Sequence, residues 1–534
     1  MDLGIMPSVL LGVMSKLIRR NFLVHVARLL KRSGGKRMGF NKEEFFKQIK
    51  DVDLSQDQKD KYWQMLDADF LATFRDVMKY SPVLTPTSRY KRTYQERPFL
   101  DDEYNAWYVK TKIKHAASGP LLEKKVAVKD NITIADVPMQ SGTKLLDGYR
   151  PQADATVISR LLAAGAEITG KAVSENLFVA GSSFSADTGL VQNPRLSGYS
   201  AGGSSSGSAA LVAGGAVDFA LGCDQTGSIR IPASWCGIYG FKPSRGVVPY
   251  TGIGSVDQLL DHFGPMSQTM DNIILAMDVL AGPDGLDSRQ NEIQRTFDFA
   301  KNLSTNLRGK KIGVVRQGFG LPSSEKIVDQ TVRKNIQVFE KLGVQVEEVS
   351  IPEFEFGRTV VDTMNTLATY RQLIKSGGSS IGSGNYYPTD LSEALNEQLT
   401  LENYDKLPPI VQVILYSGML ADHDTIDYYG RAQNLLIGLK ADFSAIMKKY
   451  DILAMPATPF TATKLPSLDG PLEGLVTGSM GMDANLGLFN ALGYPAMSVP
   501  CKFTEYDKPI GMQLVGGFGA DQTVIDFAKA YEEL

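Results

Sequence analysis

One lysine and two serines occupy positions that strand and helix ends would bring together. Lys129 closes the apolar run Val126, Ala127, Val128 within KKVAVKDN (124–131). Ser204 lies in SAGGSSSGSAALVAGG (200–215), and Ser228 ends the turn of LGCDQTGSIRIPAS (221–234). Burial disfavours a charged ammonium, so a lysine delivered by a buried strand becomes a candidate general base. Lowering its pKa from about 10.4 to near 7 corresponds to roughly 4–5 kcal/mol. A base of that kind beside two hydroxyls suits nucleophilic acyl transfer without histidine. Each piece has an ordinary alternative: a strand-end lysine reaching water, a flexible Gly/Ser linker or phosphate loop, a serine capping a helix. A P-loop requires Gly-Lys-Ser/Thr, whereas Gly207 is followed by Ser208 and Ala209. A linker would not run straight into an alanine helix and then a buried strand.

The elements that would position these residues follow from the same strings. VAVKD reads as a strand ending at the lysine. Ser204 precedes a helix over 208–213. A strand over 217–224 leads into the turn Asp224-Gln225-Thr226-Gly227-Ser228 and a second short helix. Were Ser228 to attack a carbonyl, the amides of Gln225, Thr226, Gly227 and Ser228 would face the developing oxyanion, one such donor being worth about 3–4 kcal/mol. Elsewhere strand-like and helix-like segments alternate, as in VAVKD, ATVISRLLAAGA and EITGKAV, then KIGVV, VDQTVRKNIQVFEKLG and VQVEEV. That alternation predicts an α/β fold: a large mixed, mostly parallel twisted sheet with helices on both faces.

In this order the three motifs resemble the amidase signature family of serine hydrolases, whose triad is Ser, cis-Ser and Lys. The 24-residue separation of Ser204 and Ser228 and the string V-A-x-K-D around Lys129 match that family. So do TGLVQNP (188–194), YGFKPSRGVVPYTG (239–252), DHFGPM (261–266), ILAMPAT (452–458) and YPAMSVP (494–500). The resemblance implies Ser228 as nucleophile, Ser204 as the bridging serine joined to its neighbour by a cis peptide, and Lys129 as base. It implies substrate contacts from Gly203, Asp224 and Gln225, and neither metal nor organic cofactor. Asp224-Gln225 and the DHFGPM segment look closest to the bacterial amidases that accompany nitrile hydratases, some of them enantioselective. The implied reaction is hydrolysis of a small-molecule carboxamide through an acyl-enzyme. Alternatives are a glutamine-hydrolysing subunit that passes ammonia to a partner, a fatty acid amide hydrolase-like enzyme, and a catalytically impaired binding homologue. The last arises because Thr226 replaces the first of the family's two glycines, a poor exchange if that position needs positive φ. Leu492 stands where relatives often carry threonine and could reshape the acyl site. Loops around Phe178, Trp235, Ile253 and Leu488 are expected to line the pocket.

Composition bounds the rest. The 534 residues are 43% hydrophobic and 22% charged with a formal charge of -3, which disfavours a nucleic-acid binder. Cys223, Cys236 and Cys501 have no metal spacing and read as buried small hydrophobes in a reducing, cytoplasmic setting. His262 reads as a packed histidine, or one bordering the pocket. Residues 1–80 form an expected helical extension, 81–98 a proline-bearing linker and 99–534 the catalytic domain. Before residue 41 the only acid is Asp2, against eight Lys and Arg interleaved with apolar residues. That segment suggests a docking arm for a homodimer, an organellar leader, or peripheral membrane contact through residues 5–32.

Overall fold

The computed structural model describes residues 41–79, 92–290, 296–378 and 386–534. The basic segment 5–32, with its expected docking, targeting or membrane role, lies outside the described residues, as do residues 81–91 of the linker. The chain divides into two compact units, 1–85 and 86–534. In the first, helices Lys42–Gln48, Gln56–Met65 and Leu71–Val77 follow the expected helical text, with a wider π turn at Leu66–Phe70. Ser55 and Gln58 form a reciprocal capping box on the second helix.

In the second unit the strands are β1 (Tyr94–Glu96), β2 (Trp107–Ile113), β3 (Lys125–Lys129), β4 (Glu167–Ala172), β5 (Gln192–Asn193), β6 (Leu196–Ser200), β7 (Phe219–Asp224), β8 (Tyr239–Lys242), β9 (His262–Ser267), β10 (Lys311–Val315), β11 (Gln345–Val349), β12 (Ile452–Pro456), β13 (Ala496–Pro500) and β14 (Gly511–Val515). Twelve form one sheet in the order β1-β2-β4-β3-β7-β9-β8-β13-β14-β12-β10-β11, while β5 and β6 pair apart. The sheet is mixed, as expected. Its parallel β-α-β character is concentrated in two blocks, β4-β3-β7 and β12-β10-β11. Between these blocks the pairs β7-β9, β9-β8, β8-β13, β13-β14 and β14-β12 are antiparallel. Residues 94–96, expected as linker, pair instead as an edge strand with β2. Three residues are too few for a readable alternation, and their partners lie 13 to 17 positions away.

Alternation along β3 and β7 explains how the site is built. Val126, Val128, Phe219 and Leu221 join a large core with helices Thr156–Ala163 and Met270–Leu280. Ala127 and Ala220 point to the other face, under helices Ser206–Ala213 and Arg230–Cys236. Small residues on that face let an alanine-rich helix, buried from Ser206 to Val212, lie close to the strands. Lys129, two residues beyond Ala127, falls on the same face.

Candidate active site

Lys129 is fully buried, and its Nζ lies 2.7 Å from Ser204 Oγ. It makes no ion pair among the described residues. Burial therefore dominates and pulls the lysine down to about 8, opposed by the more distant Cys223, Asp224, Glu175 and Asp261. The Gly203–Ser204 peptide is cis. Gly203 is required by packing, because a Cβ there would stand 2.8 Å from Glu175 Cγ.

The other serines of the run are anchors. Ser205 Oγ donates to Cys223 O at 3.2 Å, and Ser208 Oγ donates to Leu221 O at 3.0 Å. These bonds pin the start of the helix to β7. The Ser205 N–H donates to Ser228 O at 3.2 Å, joining the two serine loops through backbone. Ser228 is buried, and its hydroxyl makes no hydrogen bond among the described residues. Thus the structure brings Lys129 and Ser204 into direct contact and holds Ser228 on the adjoining loop. Within the turn, the amide N–H groups of Thr226, Gly227 and Ser228 donate to no acceptor among the described residues. Gly227 adopts φ 150°, and a Cβ on it would lie 2.7 Å from Leu486 Cδ1.

Known proteins resemble this chain in sequence and fold. The family model for amidases matches residues 101–525. The enantioselective amidase of Rhodococcus rhodochrous is 36% identical over 83% of this chain and 87% of its own length. The chain belongs to the amidase family. Members of that family act on amide C–N bonds. A glutamyl-tRNA(Gln) amidotransferase chain from a Cyanothece species is 32% identical over 76% of this chain and 83% of its own. Among solved structures, the glutamyl-tRNA(Gln) amidotransferase chain of Thermotoga maritima superposes with TM-score 0.66 at 26% identity, covering 81% of this chain and 88% of its own.

Several expectations for this amidase need correction. Asp224, an expected substrate contact, is fully buried and both its carboxylate oxygens are occupied. Arg230 donates to them through Nη2 at 2.8 Å and Nε at 2.9 Å, and Asn490 Nδ2 adds a bond of 2.9 Å. Arg230 also reaches Gln513 Oε1 at 2.7 Å and Leu486 O at 3.1 Å. Asp224 therefore ties the turn to β14 and to the segment preceding β13. Sequence reasoning does not find Arg230 and Asn490 as site-building residues. The available signal is an arginine set inside the apolar text Ile229-Arg230-Ile231, where an unpaired charge would be costly.

Thr226 is not among the positive-φ residues, so the demand for left-handed backbone falls on Gly227 alone. Half-buried, Thr226 packs its Cβ 3.4 Å from where a side chain on Gly487 would begin, and its hydroxyl favours the charged form of the Asp483 carboxylate, which burial disfavours. The threonine fits its backbone without strain. Leu492 belongs to a buried apolar cluster with Ala491 and Tyr494 rather than to an acyl pocket. Of the expected lining residues, Phe178 lies against Gly254, next to Ile253. Trp235 and Leu488 are each packed in a separate core. His262 is buried, donates from Nδ1 to Leu260 O at 2.7 Å, and is held far below its ordinary pKa by burial and Lys242. It is a packed, neutral histidine. The three cysteines are free and buried.

Proposed function

We propose that this amidase hydrolyses a small carboxamide to its acid and ammonia or an amine through an acyl-enzyme on Ser228. The observation that carries the reading is the 2.7 Å contact of a buried, carboxylate-free lysine with Ser204, on the loop bonded to the Ser228 backbone. Neutral Lys129 accepts the Ser204 proton while Ser204 accepts that of Ser228, whose hydroxyl turns toward it when substrate arrives. Ser228 Oγ attacks the carbonyl carbon. The turn amides from Gln225 through Ser228, of which those of Thr226, Gly227 and Ser228 are unengaged among the described residues, hold the oxyanion. Collapse breaks the C–N bond, and the relay running backward protonates the departing amine. A water, deprotonated by the same relay, then frees the acid. Gln225 supports a substrate role: its Nε2 donates to Tyr250 Oη at 3.1 Å, while Oε1 is buried with no donor among the described residues. That oxygen suits an N–H of the substrate amide. Gly203, the other expected substrate contact, adjoins Ser204 through the cis peptide.

Ser228→Ala should abolish turnover across a panel of acyl amides and abolish labelling by a fluorophosphonate. Near-normal rates in that variant end the proposal. The amidotransferase relatives favour one second reading, glutamine hydrolysis for a partner protein. Glutamine turnover by the purified chain, exceeding that of simple amides, would favour it. We further assign the chain to a cytoplasmic homodimer, a reading supported by its three free buried thiols and its separate helical unit. No described helix is long and apolar enough to cross a membrane. Size-exclusion chromatography with light scattering tests the dimer.

A further inference from the structure

Behind the cis serine lies a buried carboxylate that the reaction above does not use. Glu175 is fully buried, and among the described residues no Lys or Arg reaches it within ion-pair distance. Its partners are hydroxyls and one amide. Ser185 donates to Oε2 through Oγ at 2.7 Å and through N at 3.0 Å. Ser182 Oγ lies at 3.4 Å from the same oxygen, and Ser206 Oγ at 3.3 Å from Oε1. Two further contacts tie the residue to the serine loop. The Glu175 N–H donates to Ser204 O at 3.1 Å, and its Cγ fills the space that a side chain on Gly203 would need. Glu175 thus touches both residues flanking the cis bond, while Ser206 bonds it to the first turn of the following helix.

We propose that Glu175 is a positioning residue, whose hydroxyl-bound carboxylate and backbone hold the Gly203–Ser204 peptide so that Ser204 Oγ stays on Lys129 Nζ. This inference rests on the proposed Lys129–Ser204–Ser228 relay. It explains why serines at 182, 185 and 206 surround a site that uses two others. An unpaired buried carboxylate is costly, and here burial pushes it up to about 6 even with these donors. Retaining it makes sense if its charge also serves. Of the groups facing Lys129, it acts alongside Cys223, Asp224 and Asp261, and its negative charge favours the protonated lysine.

The test compares kcat, KM and the pH profile of kcat/KM for Glu175→Ala and Glu175→Gln, with Ser228→Ala alongside. Glu175→Ala removes the carboxylate's bonds to Ser182, Ser185 and Ser206 and the packing of Cγ on Gly203, leaving only the backbone bond to Ser204, and should lower kcat about 10- to 100-fold, with KM changed less than about threefold. Glu175→Gln preserves shape and most bonds but not charge. It should lose less in kcat and should move the acidic limb of kcat/KM to lower pH, because Lys129 loses a neighbour that favours its proton. Wild-type kcat in a folded Glu175→Ala, or an unmoved limb in Glu175→Gln, overturns the proposal. Should both variants fail to fold, Ser185→Ala decides. It removes the shortest bond to the carboxylate, and an unchanged kcat there overturns the proposal equally. An active Ser228→Ala sinks the relay itself, so the two failures are distinguishable.

Discussion

Two adjacent strands each bury a lysine completely, and the two lysines have opposite surroundings. Lys171 on β4 faces Asp130 at 2.9 Å, and Asp130 Oδ2 also accepts the N–H groups of Gln140 at 3.0 Å and Ser141 at 2.7 Å. Lys129 on β3, in register with the neighbour of Lys171, bonds only a hydroxyl among the described residues. Burial pulls both lysines down, but beside Lys171 a carboxylate within ion-pair distance opposes that pull. Lys129 has no such counterweight within ion-pair distance among the described residues and sits at about 8. Lys171 is paired with Asp130, the carboxylate that fastens the end of β3 to the 140–141 loop. The other lysine is free to give up its proton. The identity of the nearest partner, rather than depth of burial, separates a strut from a candidate base.

The largest expected difference is in activity. Lys129→Met should lower kcat/KM for any good amide by at least about 1,000-fold, the range of a lost general base. Lys171→Met, measured per folded molecule, should stay within about threefold of wild type. Comparable losses in both variants would break the distinction, since each lysine would then be needed for chemistry.

Stability should invert that ranking. Removing Lys171 leaves Asp130 buried without its cation, which costs about 3–5 kcal/mol in urea unfolding. Adding Asp130→Asn to Lys171→Met should recover much of the loss, because the pair rather than either residue is what the site tolerates. Removing Lys129 orphans only a hydroxyl. A Lys171→Met variant as stable as wild type would mean that Asp130 is already protonated and the ion pair absent.

How far these roles are legible in the sequence depends on the range of the partners. Lys129, Ser204 and Ser228 can be read because each sits at the end of a local pattern: apolar strand into lysine, glycines into serine into helix, strand into turn. The Lys171–Asp130 pair is not legible, because it joins residues 41 positions apart across a parallel pairing. Asp224 misleads for a similar reason. Its bond to Arg230 spans one turn, but the Asn490 and Gln513 groups that complete the network come from beyond residue 480. Glu175 offers only an acid beside small residues, with its meaning held in hydroxyls of two other loops. The antiparallel middle of the sheet escapes because strand direction there is set by long connections rather than by any alternation within β8, β9, β13 or β14.

The smallest expected effect tests the protonation difference itself. A lysine lowered from its ordinary 10.5 to about 8 on folding binds fewer protons in the folded chain than in the unfolded one across that window. Stability contributed at this position therefore rises with pH from about 8 to 10.5, and the residue costs most at pH 7 and below. Methionine carries no such cost and fills a similar volume. Lys129→Met should thus be more stable than wild type by up to roughly 3 kcal/mol at pH 7, with the gain shrinking toward zero near pH 10.5. Paired urea titrations at pH 7 and 10 measure this. A gain equal at both values would place its origin in packing and would mean that Lys129 keeps its proton. The structural distinction between the two lysines would then survive, but the basis for proton transfer to Lys129 would not.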